Sequence, residues 1–274
     1  MGAWPQTDGR SVLRLAHVDD YAQAARLGIN PPDQPLALRE ACEAARVRIT
    51  RQCLKVGERR HAAMLVPTAD GFRAVVDSLV WRRAQENESG RHRLRFILAH
   101  ELGHTLFYRP GRPPTRSGPA DSLEERFCHR FATSLLVPPC ASRRADLDAA
   151  GLRILAGKYN VSVRVAAWAV AQALPGVTLL WLRRAPHPVH GGSETMRVEW
   201  GASQRFIARG ESFKSPLAEL PPGQHGRSTE QLRLSGREEH LTLDAWRFTH
   251  SMLVIARPAG AGGKAEPPAQ RTLF

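Results

Sequence analysis

The pentapeptide His100-Glu101-Leu102-Gly103-His104 constrains the fold of this 274-residue chain more than any other stretch. It lies within residues 93–108, where the spacing of apolar side chains predicts one helix. Side chains four residues apart share a helix face, so His100 and His104 can direct ring nitrogens at one metal ion. Glu101 lies beside them, where it can take a proton from a water molecule next to the metal.

Gly103, between the two histidines, is a poor helix former that costs about 1 kcal/mol relative to alanine. A close approach of another element on the metal side would account for it. The sequence Arg109-Pro110-Gly111 is predicted to stop the helix. Residues 112–121, rich in Pro, Gly and Ser, then form a loop that can shape access to the site.

A third metal ligand is expected on the next helix, because catalytic zinc usually takes three protein ligands and keeps one position for water. That helix is predicted over residues 122–138, with Glu124 and Glu125 in its first turn. On a helical wheel Glu124 falls among large apolar residues and Glu125 among small ones, which favours Glu125 as the ligand. The other glutamate is expected to serve only the helix dipole. His129 is expected to be a partly exposed helix residue, with a supporting role in the cleft as the alternative.

A small antiparallel sheet is predicted before the metal helix. Residues 63–67 and 72–78 have strand composition, and Thr68-Ala69-Asp70-Gly71 has turn composition. The edge of this sheet either holds an extended peptide by backbone hydrogen bonds or only covers the core. A helix is predicted over residues 36–48, and a short one around residues 21–27.

The second half of the chain begins with a predicted helix-turn-helix pair at residues 152–174, in which Ser162 caps the second helix. Recognition of DNA needs polar side chains, and the second helix offers one arginine, Arg164. We therefore interpret the pair as packing rather than DNA reading. Beyond Pro175-Gly176, strands are predicted at residues 177–183, 196–200, 232–234, 241–245 and 250–256.

Two segments together resemble the ImmA/IrrE family of metallopeptidases. Residues 95–104 match the pattern RF-x-x-AHE-x-GH, and residues 125–138 match E-x-x-(A/C)-x-x-FA-x-x-LL-x-P. The resemblance covers roughly residues 36–175. Val137 stands where Met is usual, and His129 where Asn or Asp is common.

The resemblance implies a minimal zincin-like metallopeptidase domain of α+β fold, in which His100, His104 and Glu125 hold Zn²⁺ and Glu101 is the general base. The same three ligands also suit Mn²⁺, so the implied metal is Zn²⁺ with Mn²⁺ as the alternative. Members typically cleave a helix-turn-helix repressor, so the implied partner is a repressor of phage, mobile-element or stress genes. The alternative is a non-catalytic DNA- or protein-binding transcriptional regulator on a peptidase-like scaffold.

Five regions are predicted along the chain. They are a loosely ordered lead-in at residues 1–35, the zincin-like domain at 36–140, the helical segment at 141–175, a smaller mixed α/β, mostly β C-terminal region at 176–257, and a disordered tail at 258–274.

The net charge of +13 is spread along the chain. Residues 1–140 hold 21 basic against 15 acidic side chains, and residues 141–274 hold 18 against 11. No basic arm stands out, so direct DNA binding is not favoured. The chain has no apolar run long enough for a transmembrane helix and no signal-peptide pattern, so we expect a cytoplasmic protein without a membrane partner. Its four scattered cysteines indicate reduced thiols.

Overall fold

The computed structural model describes residues 17–29, 31–56, 59–112, 122–186, 194–202, 213, 215–234 and 237–259. These residues form a mixed α+β structure with small sheets, as predicted. Residues 1–16 of the predicted lead-in, residues 113–121 of the predicted loop and residues 260–274 of the predicted tail lie outside the described residues.

The chain divides into two compact units, Met1–Arg144 with Arg153–Ala169, and Ala145–Leu152 with Val170–Phe274. The domain boundaries drawn from the sequence remain predictions. Within the described residues, none of the helices combines the length and the apolar character needed to cross a bilayer.

Up to residue 173 the described elements are two helices, then five short strands, then six helices. In chain order they are α1 Val18–Leu27, α2 Leu38–Ala44, β1 Val47–Gln52, β2 Lys55–Val56, β3 Arg59–Arg60, β4 Ala63–Thr68, β5 Gly71–Asp77, α3 Ser78–Glu86, α4 Glu88–His104, α5 Ser122–Leu136, α6 Pro139–Arg143, α7 Ala149–Tyr159 and α8 Val163–Ala173.

Helix α2 ends earlier than the predicted helix at residues 36–48, and strand β1 takes the last residues of that segment. The prediction is wrong there because Arg46 adopts a left-handed conformation, with φ of 54°, which ends the helix. Its carbonyl accepts a hydrogen bond from the N–H of Phe72, which starts the pairing of β1 with β5. The β-branched residues Val47 and Ile49 then suit a strand.

The predicted hairpin of β4 and β5 is confirmed, and its sheet has the order β1-β5-β4. The sheet is mixed rather than wholly antiparallel, because β1 runs parallel to β5. Among the described strands β4 lies at an edge. The N–H of Asp77 bonds to the carbonyl of Ala62, so the alternation of an antiparallel pair directs the backbone groups of Ala63 and Leu65 away from β5.

Helix α4, which carries His100 and His104, begins at residue 88 rather than 93 and ends at residue 104 rather than 108, so the predicted bounds lie too far along the chain. Its N-cap is Asn87, whose side chain accepts a hydrogen bond from the N–H of Gly90 at 2.7 Å. The preceding helix α3 was not predicted. Its N-cap, Asp77, ends β5 and accepts a hydrogen bond from the N–H of Leu79, so strand and helix join without a loop.

Helix α1 is anchored to α5, the helix that carries the two glutamates. The buried Arg26 guanidinium donates to the carbonyl of Leu135 at 2.7 Å. The Asp19 carboxylate accepts hydrogen bonds from Arg130 at 2.9 Å and from Ser134 at 2.6 Å. The sequence predicts a loosely ordered lead-in, whereas its described part is held by these buried and half-buried contacts.

The predicted helix pair is present as α7 and α8, and the Ser162 hydroxyl accepts a hydrogen bond from the N–H of Val165. Arg164 is exposed, and many side chains of α8 are buried. The remaining elements are β6 Thr178–Pro186, β7 Glu194–Ala202, a 3₁₀ turn Pro216–Glu219, β8 His225–Leu234, β9 Arg237–Arg247 and β10 Ser251–Pro258.

Strands β6 to β10 form an antiparallel sheet of order β7-β6-β10-β9-β8. All five predicted strands are confirmed and are longer than predicted. One face of the sheet buries an apolar core that includes Leu180, Leu243 and Val254.

Candidate metal centre

The three side chains predicted as metal ligands lie together, two on α4 and one on α5. The Nε2 atoms of His100 and His104 are 3.2 Å apart. The Glu125 carboxylate lies 3.3 Å from Nε2 of His100 and 3.7 Å from Nε2 of His104. One ligand atom from each residue can be chosen so that all lie within 4.8 Å of one another.

These separations suit a small cation. Ligands at about 2.0–2.1 Å from a tetrahedral zinc ion are themselves about 3.3 Å apart, which matches the spacing of the His100, His104 and Glu125 atoms. Two imidazole nitrogens and one carboxylate are a donor set that binds zinc and the neighbouring divalent metals. The group His100–His104–Glu125 could therefore hold a metal ion.

The crossing of α4 and α5 brings the ligands into range. A Cβ placed on Gly103 would lie 3.1 Å from Cα and 3.2 Å from Sγ of Cys128. The close approach of another element that is predicted at Gly103 is therefore confirmed, since α5 packs against α4 at that residue. Glu125 lies about one turn before Cys128, so its side chain reaches across the crossing to His100.

The charges of the site favour the protonation states that bind metal. Burial lowers the pKa of His100, and the hydrogen bond to Glu125 only partly opposes this. The same hydrogen bond lowers the pKa of Glu125. A neutral imidazole thus faces an ionised carboxylate near neutral pH, and these are the forms that coordinate a cation.

Glu101 is buried beside the ligands, with 7% of its surface exposed. Burial, with the nearby charge of Glu125, raises its pKa to about 7, against the opposing effects of His104 and of a hydrogen bond from the backbone N–H of Leu65. That N–H belongs to the outward edge of β4. The Glu101 carboxylate thus connects α4 with the edge strand β4.

Glu124 has more contacts than the sequence predicts for it. Its Oε1 lies 2.6 Å from Nδ1 of His104, and the two side chains are 8% and 7% exposed. The Tyr108 hydroxyl donates to the same oxygen at 2.9 Å. The expectation that Glu124 serves only the helix dipole is wrong.

A signal for Glu124 was present in the sequence. Its place on the apolar side of the wheel implied a buried carboxylate, and a buried carboxylate needs a partner. No comparable signal marks Tyr108, which follows the end of α4.

His129 is exposed, as expected, yet it contacts the site. Its Nδ1 donates to the carbonyl of Glu125 at 3.0 Å. Its ring packs edge-on against the ring of His100, with 4.6 Å between centroids. A supporting role of His129 in the cleft stays a prediction.

No protein-family model matches the chain. No curated protein matches it either. The resemblance to a metallopeptidase family rests on the two motifs and on the residues that they contain.

Proposed function

We propose that this protein is a zinc-dependent endopeptidase with a zincin-like catalytic domain similar to that of the ImmA/IrrE family. The observation that carries the proposal is the convergence of His100, His104 and Glu125 beside the buried Glu101. Two histidines, a carboxylate ligand and a separate carboxylate base are the groups that hydrolysis of an amide needs at a metal centre. Mn²⁺ is the alternative metal.

Held by His100, His104 and Glu125, a zinc ion would polarise the scissile carbonyl and would lower the pKa of a water molecule from about 15.7 to about 7. Glu101 acts as general base and takes the proton of the attacking water. It then donates that proton to the leaving amine, so that one carboxylate serves both steps. In the metal-free protein burial raises the pKa of Glu101 to about 7, so this carboxylate takes up a proton more readily than a solvated one.

The outer edge of β4 supports an extended polypeptide as the substrate. Ala63 directs both its N–H and its C=O outward, and Leu65 directs its C=O outward. A peptide that pairs with these groups as an added strand passes close to Glu101, because Leu65 already contacts that carboxylate. Pro67 has no N–H to offer, so pairing beyond it is limited.

The proposed substrate is a helix-turn-helix transcriptional repressor, on the strength of the family resemblance. The net charge of +13 favours encounter with an acidic partner through electrostatic steering. Release of a regulated gene would follow from cleavage of the repressor.

The test uses purified protein, added Zn²⁺ or Mn²⁺, and a helix-turn-helix repressor encoded beside the gene, with products identified by mass spectrometry. We expect wild type to cleave and Glu101→Gln to bind metal normally while cleavage falls by about 10²-fold or more. Glu125→Ala should lose metal. Glu88→Gln, which changes an exposed glutamate at the start of the same helix, is the matched control.

Cleavage by Glu101→Gln at the wild-type rate would eliminate this mechanism. The regulator alternative predicts instead that metal-site variants keep full activity in cells. It also predicts that purified protein shifts duplex DNA in a salt-dependent manner.

A further inference from the structure

The buried pair of Glu124 and His104 lies on the side of the metal centre away from the ligand atoms. A carboxylate 8% exposed is costly unless it accepts hydrogen bonds. Oε1 of Glu124 accepts hydrogen bonds from Nδ1 of His104 at 2.6 Å and from the Tyr108 hydroxyl at 2.9 Å. The carboxylate thus joins α5 to α4 and to Tyr108, four residues beyond the end of α4.

This hydrogen bond bears on which nitrogen of His104 carries the proton. A neutral imidazole has one N–H, and a carboxylate can only accept. Nδ1 therefore donates to Glu124, and Nε2 keeps its lone pair. Nε2 is the atom that lies 3.2 Å from Nε2 of His100 and 3.7 Å from the Glu125 carboxylate.

Tyr108 also restrains the orientation of the His104 ring. The two rings are stacked with 5.8 Å between centroids and an angle of 11° between planes. The ring is thus held at one edge by Glu124 and on one face by Tyr108. His100 differs, because its buried Nδ1 has no hydrogen-bond partner within the described part of the chain.

We propose that Glu124, supported by Tyr108, is a positioning residue that fixes the tautomer and the ring orientation of His104 and so presents Nε2 to the metal. The inference rests on the metal centre proposed above and not on peptidase activity. Groups that orient a metal-binding histidine typically change metal affinity by 10–100-fold when they are removed.

Metal affinity is measured first, by competition with a chromophoric chelator for Zn²⁺ and by the absorption spectrum of the Co²⁺-loaded protein. We expect Glu124→Ala to weaken binding by about 10–100-fold and to change the Co²⁺ spectrum. Glu124→Gln should retain more affinity, because its amide oxygen still accepts a hydrogen bond from Nδ1–H of His104. Tyr108→Phe should show the smallest loss, and Glu88→Gln none.

The tautomer is measured second, in metal-free protein, by long-range ¹H–¹⁵N correlation of the histidine rings. We expect the Nδ1–H form of His104 in wild type and in Glu124→Gln, and a shift towards the Nε2–H form in Glu124→Ala. If Glu124→Ala does not fold, Glu124→Gln and Tyr108→Phe carry the affinity comparison.

Two results overturn the positioning role. One is the Nε2–H form of His104 in metal-free wild type, and the other is wild-type metal affinity in the Glu124 variants. Wild type that binds neither Zn²⁺ nor Co²⁺ refutes the metal centre and this inference with it. Normal metal binding without cleavage of any polypeptide refutes the proposed peptidase. The positioning role is then still supported or refuted by the metal affinities and by the tautomer of His104.

Discussion

Gly103 and Cys128 lie in contact where α4 and α5 cross, and a Cβ on Gly103 would lie 3.1 Å from the Cα of Cys128. The nearest neighbour is a backbone atom, so a side chain at residue 103 would push α4 and α5 apart by a few tenths of an ångström. Because α5 carries Glu125, the spacing of the metal ligands depends on this contact.

Replacement of Gly103 by alanine tests that dependence. Alanine is the better helix former by about 1 kcal/mol, but overpacking at a close contact costs about 1–3 kcal/mol. We expect Gly103→Ala to be neutral or destabilising in urea unfolding of the metal-free protein and to bind Zn²⁺ more weakly.

The matched control for Gly103→Ala is Gly157→Ala in α7, where an added Cβ meets none of the described residues within 4 Å. There we expect stabilisation by about 0.5–1 kcal/mol. Equal stabilisation at both glycines, with unchanged metal affinity, would show that the contact does not hold the ligands in place.

The metal-free stability of Glu101→Gln should depend on pH in a defined direction. Burial raises the pKa of Glu101 from 4.5 to about 7 in the folded protein, so protonation of this carboxylate favours the folded state. The resulting contribution to the free energy of unfolding is complete below pH 4.5 and is lost as the pH rises through 7. Glutamine does not titrate. The variant should therefore gain stability relative to wild type between pH 5 and pH 8, by roughly 3 kcal/mol at most.

Thermal unfolding with chelator present at pH 5 and pH 8 measures this difference. Glu88→Gln, at an exposed position, should show no such gain. A Glu101→Gln advantage that is the same at both pH values would mean that the carboxylate is solvated in the folded protein.

The anchoring of α1 is tested at Asp19, which accepts hydrogen bonds from Arg130 and Ser134. We expect Asp19→Ala to lower the free energy of unfolding by about 1–2 kcal/mol. A double-mutant cycle with Arg130→Gln should give a coupling of about 0.5–1 kcal/mol, as for a partly buried ion pair.

Asp20→Asn is the control for this cycle, because Asp20 is exposed on the same helix and its replacement should change stability by no more than about 0.5 kcal/mol. Zero coupling between Asp19 and Arg130 would show that their contact adds nothing to the anchoring of α1.

The features predicted well from the sequence are those that depend on neighbours along the chain. The four-residue spacing of His100 and His104 fixes a shared helix face, and the turn residues at 68–71 fix the hairpin. The strands of the second sheet follow from short runs of apolar or alternating side chains, such as residues 177–183 and 196–200. The ends of elements are predicted less well. Each end depends on the backbone conformation of one residue, such as the N-cap Asn87 or the left-handed Arg46, and the sequence pattern does not specify that conformation.

The sequence by itself determined that two imidazoles and an adjacent carboxylate lie along one helix, because helical geometry is local. Tertiary structure decided that Glu125 faces those imidazoles while Glu124 binds the far nitrogen of His104. It also decided that β1 joins the sheet in parallel. The physical reason is the same in both cases: the direction in which helices cross and strands pair depends on the path of the chain between them, and that path is settled by packing rather than by residue spacing.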